Sequence, residues 1–503
     1  MKNEARHLPV PDQSREVEPA KEYFKEEKEG SFLARLLRYS RKQKPQTKVN
    51  CIHIGRVFPV TLDPDAQEKD YYLHFSYRGQ HFGCFGTTGI GKTRLIMHMV
   101  VQDILAGLNV FVGDPKGDPW LFAKIVEAAT AAGRLDEIIY INPIFPDIST
   151  RLNLLAYFYS PDELVDHIVS GVRAKEEYFV NVAHEVSLSI ILALLAKARE
   201  KGEKLNVNFY EIKKWCSYNS LAELKESLEH LRYSDNPNVR RLAEDAILTI
   251  EQILSSPQDF FAKVSSSLRT VLTALSSSSV GEVVGKATYN EFIRRLEEGE
   301  RVIVFCNTGS LLARRSAHIV GKVLLSMIQS AMGRFLATNR AFDPPLSIYL
   351  DEGHNFLYIG IEELFNKGRG AGVWINFFTQ SLAQIEEYVG PTVTKAIVDN
   401  ISTWVFMRVN HEATAKHVER SSPIVIRHEK RYIPGSGGIM VPVSERKEHA
   451  VTADQILRMP KRRFVLKSPE GEYYYGEIPF VPDPRIIIDM PEADAKGETL
   501  HVH

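Results

Sequence analysis

Residues 86–93 read Gly-Thr-Thr-Gly-Ile-Gly-Lys-Thr. Glycines in this spacing, followed by lysine and a hydroxyl residue, form a phosphate-holding loop. Gly86, Gly89 and Gly91 let the backbone curl so that successive N–H groups face the β- and γ-phosphates, and the helix that starts there adds partial positive charge. Thr87, Thr88, Ile90 and Arg94 complete the nucleotide-contacting stretch. Lys92 is placed to neutralise phosphate oxygens of ATP, and the Thr93 hydroxyl to ligate Mg²⁺. An apolar strand-like run, "HFGCF", precedes the loop and a helix-like run ending at Gly107 follows it. That context separates a working loop from a chance match.

A second constellation lies at "LSIYLDEGHN" (346–355). An apolar strand ends in Asp351-Glu352, at the sheet edge where ligands bind. Asp351 is the candidate for the Mg²⁺ shell and Glu352 for the base that deprotonates water; an acidic pair capping a turn is the plainer alternative. "NKGRGAGVW" (366–374) places Arg369 between glycines on a loop before a strand. It is either solvated or reaches the γ-phosphate of a neighbouring subunit as an arginine finger, with Lys367 as the rival for that role. Gln380 ends the next strand, as a γ-phosphate sensor or as a polar cap. Lys116, in "GDPKGDPW", approaches nucleotide or DNA, or is a solvated turn lysine.

The elements that must carry these residues alternate. Strand-like runs at 51–60, 81–85, 109–113, 137–142, 301–306, 346–350, 373–378 and 403–409 are interleaved with amphipathic helical patterns. This predicts an α/β fold with a mostly parallel, doubly wound sheet. Residues 157–298 break the rhythm with helix after helix (161–173, 176–201, 220–233, 237–255, 259–275), several opened by proline. They are expected to form an inserted all-α domain. The expected organisation is a polar tail at 1–49, a nucleotide-binding domain at 50–156 and 299–480, the insertion at 157–298, and a C-terminal tail at 481–503.

Composition narrows the class. Lys plus Arg total 62 against 63 for Asp plus Glu, so no net charge advertises a nucleic-acid or membrane partner, although a channel can still be locally basic. The four cysteines (51, 84, 216, 306) are scattered, which fits neither a zinc site nor a disulfide framework. The most apolar run, "SLSIILALLA" (187–196), is half the length of a membrane helix. Segment 31–48 is a basic amphipathic helix by pattern, suited to packing on its own domain or to anionic lipid. The "KRRF" run (461–464), near Arg427, Lys430 and Arg431, is either a solvated face or a lining for DNA.

"GTTGIGKT", "DPKGD", "LDEGHNF", "NKGRGAGVWINFFTQSLAQIEEYVG" and "NISTWVFMRV" occur in that order. In this the chain resembles the type IV coupling proteins, the TraD/TraG-like ATPases of bacterial conjugation. The resemblance implies a RecA-like motor domain, ATP and Mg²⁺ as cofactors, and a homo-hexamer around a central channel. Such proteins pump DNA, expected to be single-stranded, and couple a relaxase–DNA substrate to a type IV secretion apparatus. By position, Lys92, Thr93, Asp351 and Glu352 would be the Walker residues, Arg369 the finger in trans, and Gln380 the sensor. The insertion would select the relaxase or an accessory protein. Family members usually carry two transmembrane helices, and none is evident here. The expectation is an anchorless member, a separate small membrane protein that supplies the anchor, or a truncated product, with the chain peripheral at the cytoplasmic face of the inner membrane. A general RecA/FtsK/HerA-like DNA translocase and an ATP-dependent docking adaptor for protein cargo are the competing readings.

Overall fold

The computed structural model describes residues 50–60, 67–172, 177–309, 312–432 and 440–488. The 31–48 segment, the loop in "IPGSGGIM", the chain from 489 onward, and the side chains of Arg427, Lys430 and Arg431 lie outside the described residues.

Strands β1 (Cys51–Pro59), β2 (Lys69–His74), β3 (Phe82–Phe85), β4 (Asn109–Asp114), β5 (Ile138–Ile141), β6 (Ile303–Asn307), β7 (Leu346–Leu350), β8 (Val373–Thr379) and β9 (Thr403–Phe406) join β12 (Arg463–Lys467) and β13 (Tyr473–Glu477) in one sheet. Its order is β2-β1-β13-β12-β9-β3-β8-β7-β4-β6-β5. From β9 to β5 every pairing is parallel, and β12, β13, β1 and β2 extend this core antiparallel. Strands β10 (Ile424–Tyr432) and β11 (Met440–His449) pair separately as an antiparallel ribbon.

The parallel strands are apolar on both faces because both are covered. On one face, Val110, Val112, Phe305 and Tyr349 pack with helices α1 (Lys92–Leu105) and α2 (Pro119–Ala132). On the other, Phe111, Val304, Ile348 and Phe377 share a core with the helices between β5 and β6 and with α6 (Arg314–Ala337).

Between β5 and β6 the described regular elements are all helical. They include α3 (Pro161–Ser170), α4 (Glu177–Glu200) and α5 (Pro237–Leu254). Each start has a local cause: Ser160 makes a capping box with Glu163, and Asn236 caps the turn opened by Pro237. The single helix expected over 259–275 is two, Gln258–Val264 and Ser266–Ser276. A short helix, Phe209–Lys214, capped by Asn208, was not anticipated. These helices share one buried cluster with the sheet face rather than owning a separate core.

Among the described residues, two helices have the length and composition to cross a membrane: Tyr178–Glu200, mean hydropathy 1.8, and Arg314–Ala337, mean hydropathy 1.3. A search for uninterrupted apolar runs passes over both. In the fold, 50% and 78% of their apolar windows are buried, so packing within the chain consumes much of that surface.

Candidate nucleotide site

Adjacent parallel strands bring their carboxyl ends together, and here that edge collects the chemistry. The phosphate loop leaves β3 and opens α1. It is anchored on both sides: Gly86 N donates to the Thr379 carbonyl (3.1 Å), and Thr87 N to the Arg408 carbonyl (2.8 Å). Asn410 Nδ2 donates to Thr87 Oγ1 (3.2 Å). Gly89 and Gly91 have φ of +74° and +127°, backbone states that side chains resist. No side chain caps α1 at Gly91, so its first N–H groups are left to a ligand.

Strands β4 and β7 pair with Gly113 opposite Leu350. Asp114 and the Asp351-Glu352 pair therefore emerge side by side. Thr93 Oγ1 stands 3.5 Å from Asp351 Oδ2. A hydroxyl and a buried carboxylate at this separation suit a hard, oxygen-seeking cation such as Mg²⁺.

Glu352 is the hub. Lys116 Nζ donates to its Oε1 at 2.7 Å, Lys92 Nζ lies 3.7 Å from the same oxygen, and Gln380 Nε2 donates to both oxygens at 3.1 and 3.3 Å. Lys92 also donates to the Gly86 carbonyl (2.7 Å). Glu352 holds φ +45°, an uncommon state for a non-glycine residue and one found at functional sites. Burial raises its carboxyl, but Lys92 and Lys116 outweigh burial and hold it below the usual carboxylate range. Burial, reinforced by Glu352, pushes Asp351 up. Burial and Asp351 push Asp114 up to about 6.

Asp114 and Lys116 are the residues that sequence reasoning undervalued. Asp114 accepts from Lys116 N (2.8 Å) and Asp118 N (2.6 Å), clamping the turn. Gly117, at φ +70°, passes so close to Asn307 that a Cβ would lie 2.3 Å from its side chain. The turn thus presents Lys116 over the acidic pair, 3.8 Å from Asp351 Oδ2. The available signal was "DPKGD" ending a strand, as Asp351-Glu352 does.

Arg369 sits elsewhere. It belongs to the last turn of helix α7 (Glu362–Ala371), not to a loop. The helix tolerates its glycines because a Cβ on Gly368 would press on His81 and the Val373 carbonyl, 3.1 Å away; packing overrides propensity. Because β8 runs parallel to β3, Arg369 lies at the amino edge of the sheet. There its Cγ packs over Gly79. A strand length of about 20 Å separates it from the loop of its own chain. Lys367 pairs with Glu363 on the same helix (2.5 Å). The "KRRF" arginines are also engaged: Arg462 bonds the Ile478 carbonyl (3.0 Å) and Arg463 pairs with Glu477 (3.1 Å).

A parallel sheet with this loop and acidic pair on one edge defines a RecA-like P-loop nucleotide-binding fold. Residues 345–461 match the family model described as the TraM recognition site of TraD and TraG. Among solved structures, the unbound bacterial conjugative coupling protein TrwBdeltaN70 aligns with TM-score 0.60 and 15% identity, over 90% of this chain and 93% of that one. Plasmid coupling protein TrwB in complex with the non-hydrolysable ATP analogue ADPNP gives 0.58 and 16%, over 90% and 94%. VirB4 of Thermoanaerobacter pseudethanolicus gives 0.50 and 10%, over 87% and 99%. No curated protein sequence matches. The matched segment contains "LDEGHNF" and the "RGAGV…TQS" run, and over the rest of the chain the likeness to the conjugative coupling proteins is one of fold.

Proposed function

We propose that this chain is an ATP-hydrolysing DNA translocase that couples a relaxase–DNA substrate to a type IV secretion channel. The observation that carries the reading is Glu352, an ionised carboxylate at the carboxyl edge, contacted by Lys116 and Gln380 and beside the Thr93–Asp351 pair. In this reading Lys92 and the loop from Gly86 to Arg94 hold the phosphates, and Thr93 and Asp351 hold Mg²⁺. The cation would offset charge on the phosphate oxygens. Glu352 takes the proton of the attacking water. Gln380, bonded to that base, is positioned to respond when the γ-phosphate leaves.

Arg369 is too far from its own loop to act there, which favours a role on the neighbouring subunit of a homo-hexamer. Hydrolysis would then depend on assembly and drive single-stranded DNA along a central channel. The helices between β5 and β6 would engage the relaxase or an accessory protein.

The test is the steady-state ATPase rate with and without single-stranded DNA, against Glu352→Gln. A rate that rises with DNA and with protein concentration supports the motor. A DNA-independent rate equal to the Glu352→Gln control sinks it.

A further inference from the structure

The chain after β13 folds back onto the phosphate loop. Because β13 runs in the same direction as β3, its end emerges at the same sheet edge. Ile478 is buried, and its Cδ1 lies 3.0 Å from where a Cβ on Gly91 would be. Ile478 N donates to the Arg462 carbonyl (2.9 Å), and Arg462 N to the Ile90 carbonyl (3.0 Å). Arg94, directly after Thr93, donates to the Val481 carbonyl (3.3 Å) and to Asp483 (2.8 Å). Its guanidinium also lies over the Trp120 ring, 5.7 Å from the centroid. The strap 478–483 is therefore tied to the loop and to the first turn of α1 at several points. Between its buried anchors Ile478 and Val481 stands Phe480, 78% exposed.

The sheet order places the strap on the opposite side of β3 from the acidic pair. The acidic pair follows β7, two strands to one side of β3, whereas the strap follows β13, three strands to the other side. A triphosphate with its γ end at Glu352 directs its other end away from β7, toward the strap. We propose that Phe480 is the stacking surface for the base of the bound nucleotide, with Arg94 as the positioning residue that holds the strap against α1. This rests on the nucleotide-site reading above. An aromatic face accepts any base, so the contact supports ATP and GTP alike and selects neither.

The test measures binding of ATP, GTP and inorganic tripolyphosphate, each with Mg²⁺, to the full chain by calorimetry. The last ligand has the phosphates and no base. Phe480→Ala is expected to weaken ATP and GTP about tenfold, within the range for losing one base–aromatic stack, and to leave tripolyphosphate unchanged. Phe480→Tyr is expected to retain wild-type affinity. Unchanged ATP affinity in Phe480→Ala overturns the proposal while leaving the phosphate site standing. Equal weakening of all three ligands overturns it too, since the strap would then only support the loop. A wild-type chain that binds tripolyphosphate as tightly as ATP gives the base no role. One that binds none of the three overturns the nucleotide reading itself.

Discussion

Lys116 Nζ and Glu352 Oε1 are 2.7 Å apart at the carboxyl edge of the sheet, joining the turn after β4 to the end of β7. With Lys92 Nζ 3.7 Å from the same oxygen, two ammonium groups hold a largely buried carboxylate below its usual range. Removing Lys116 leaves burial opposed by Lys92 and the Gln380 bonds only. The Glu352 pKa then rises, and at any given pH more of the base is protonated and inactive. The acid limb of kcat/KM against pH is expected to move to higher pH in Lys116→Ala and to stay near wild type in Lys116→Arg. A limb that does not move in either variant would show that this pair does not set the ionisation of the base.

Glu352 and Lys92 should fail differently. Glu352→Gln keeps the shape of the side chain and loses the proton acceptor, so turnover should fall about 10²–10⁴-fold while ATP still binds. Lys92→Ala removes the charge that meets the phosphates, so binding itself should weaken. Equilibrium binding and single-turnover hydrolysis on the same preparations separate the two. Wild-type turnover in Glu352→Gln would remove this residue from the mechanism.

Much of this edge was legible from residues alone, for a definite reason. Phosphate-loop chemistry is local: one strand, one turn and one helix carry Gly86 to Thr93. The Asp351-Glu352 pair ends an apolar run that must lie inside the sheet. Lys116 was harder, because its meaning depends on β4 and β7 being neighbours, and strand order is a long-range property. Arg369 was misplaced on a loop because its flanking glycines suggested one. The packing of Gly368 on His81 and Val373 fixes a helix instead. The two arginines of "KRRF" are spent on their own strand pair, which no local pattern announces.

Arg369 gives the reading in trans its sharpest check. In a ring, Arg369→Ala subunits lack the finger and Glu352→Gln subunits lack the base, so each alone should be inactive. Mixed, some interfaces combine an intact base with an intact finger, and part of the ATPase rate should return. Titrating one variant into the other should give a maximum at intermediate ratios. A rate that stays flat across all ratios, in rings shown to mix by size and label, would argue that Arg369 has no part in a neighbour's site.

The last prediction concerns what holds the opposite edge rigid. Arg78 and Asp103 are fully buried and joined by two parallel bonds of 2.8 Å, with Tyr349 Oη donating to Asp103 at 2.5 Å. Ser347 and Asn376 accept further bonds from the guanidinium at 3.0 and 3.3 Å. The cluster ties the end of α1 to β7 and β8, the strands behind Glu352 and Gln380. Asp103→Ala leaves a buried guanidinium without its counter-charge, a loss of about 3–5 kcal/mol. Urea denaturation should show a clearly lowered midpoint. Replacing both partners together, Arg78→Met with Asp103→Leu, removes the stranded charge and should recover much of the loss. If the double variant is no more stable than Asp103→Ala, the cluster's contribution lies in its hydrogen bonds to Ser347, Tyr349 and Asn376 rather than in the charge pair.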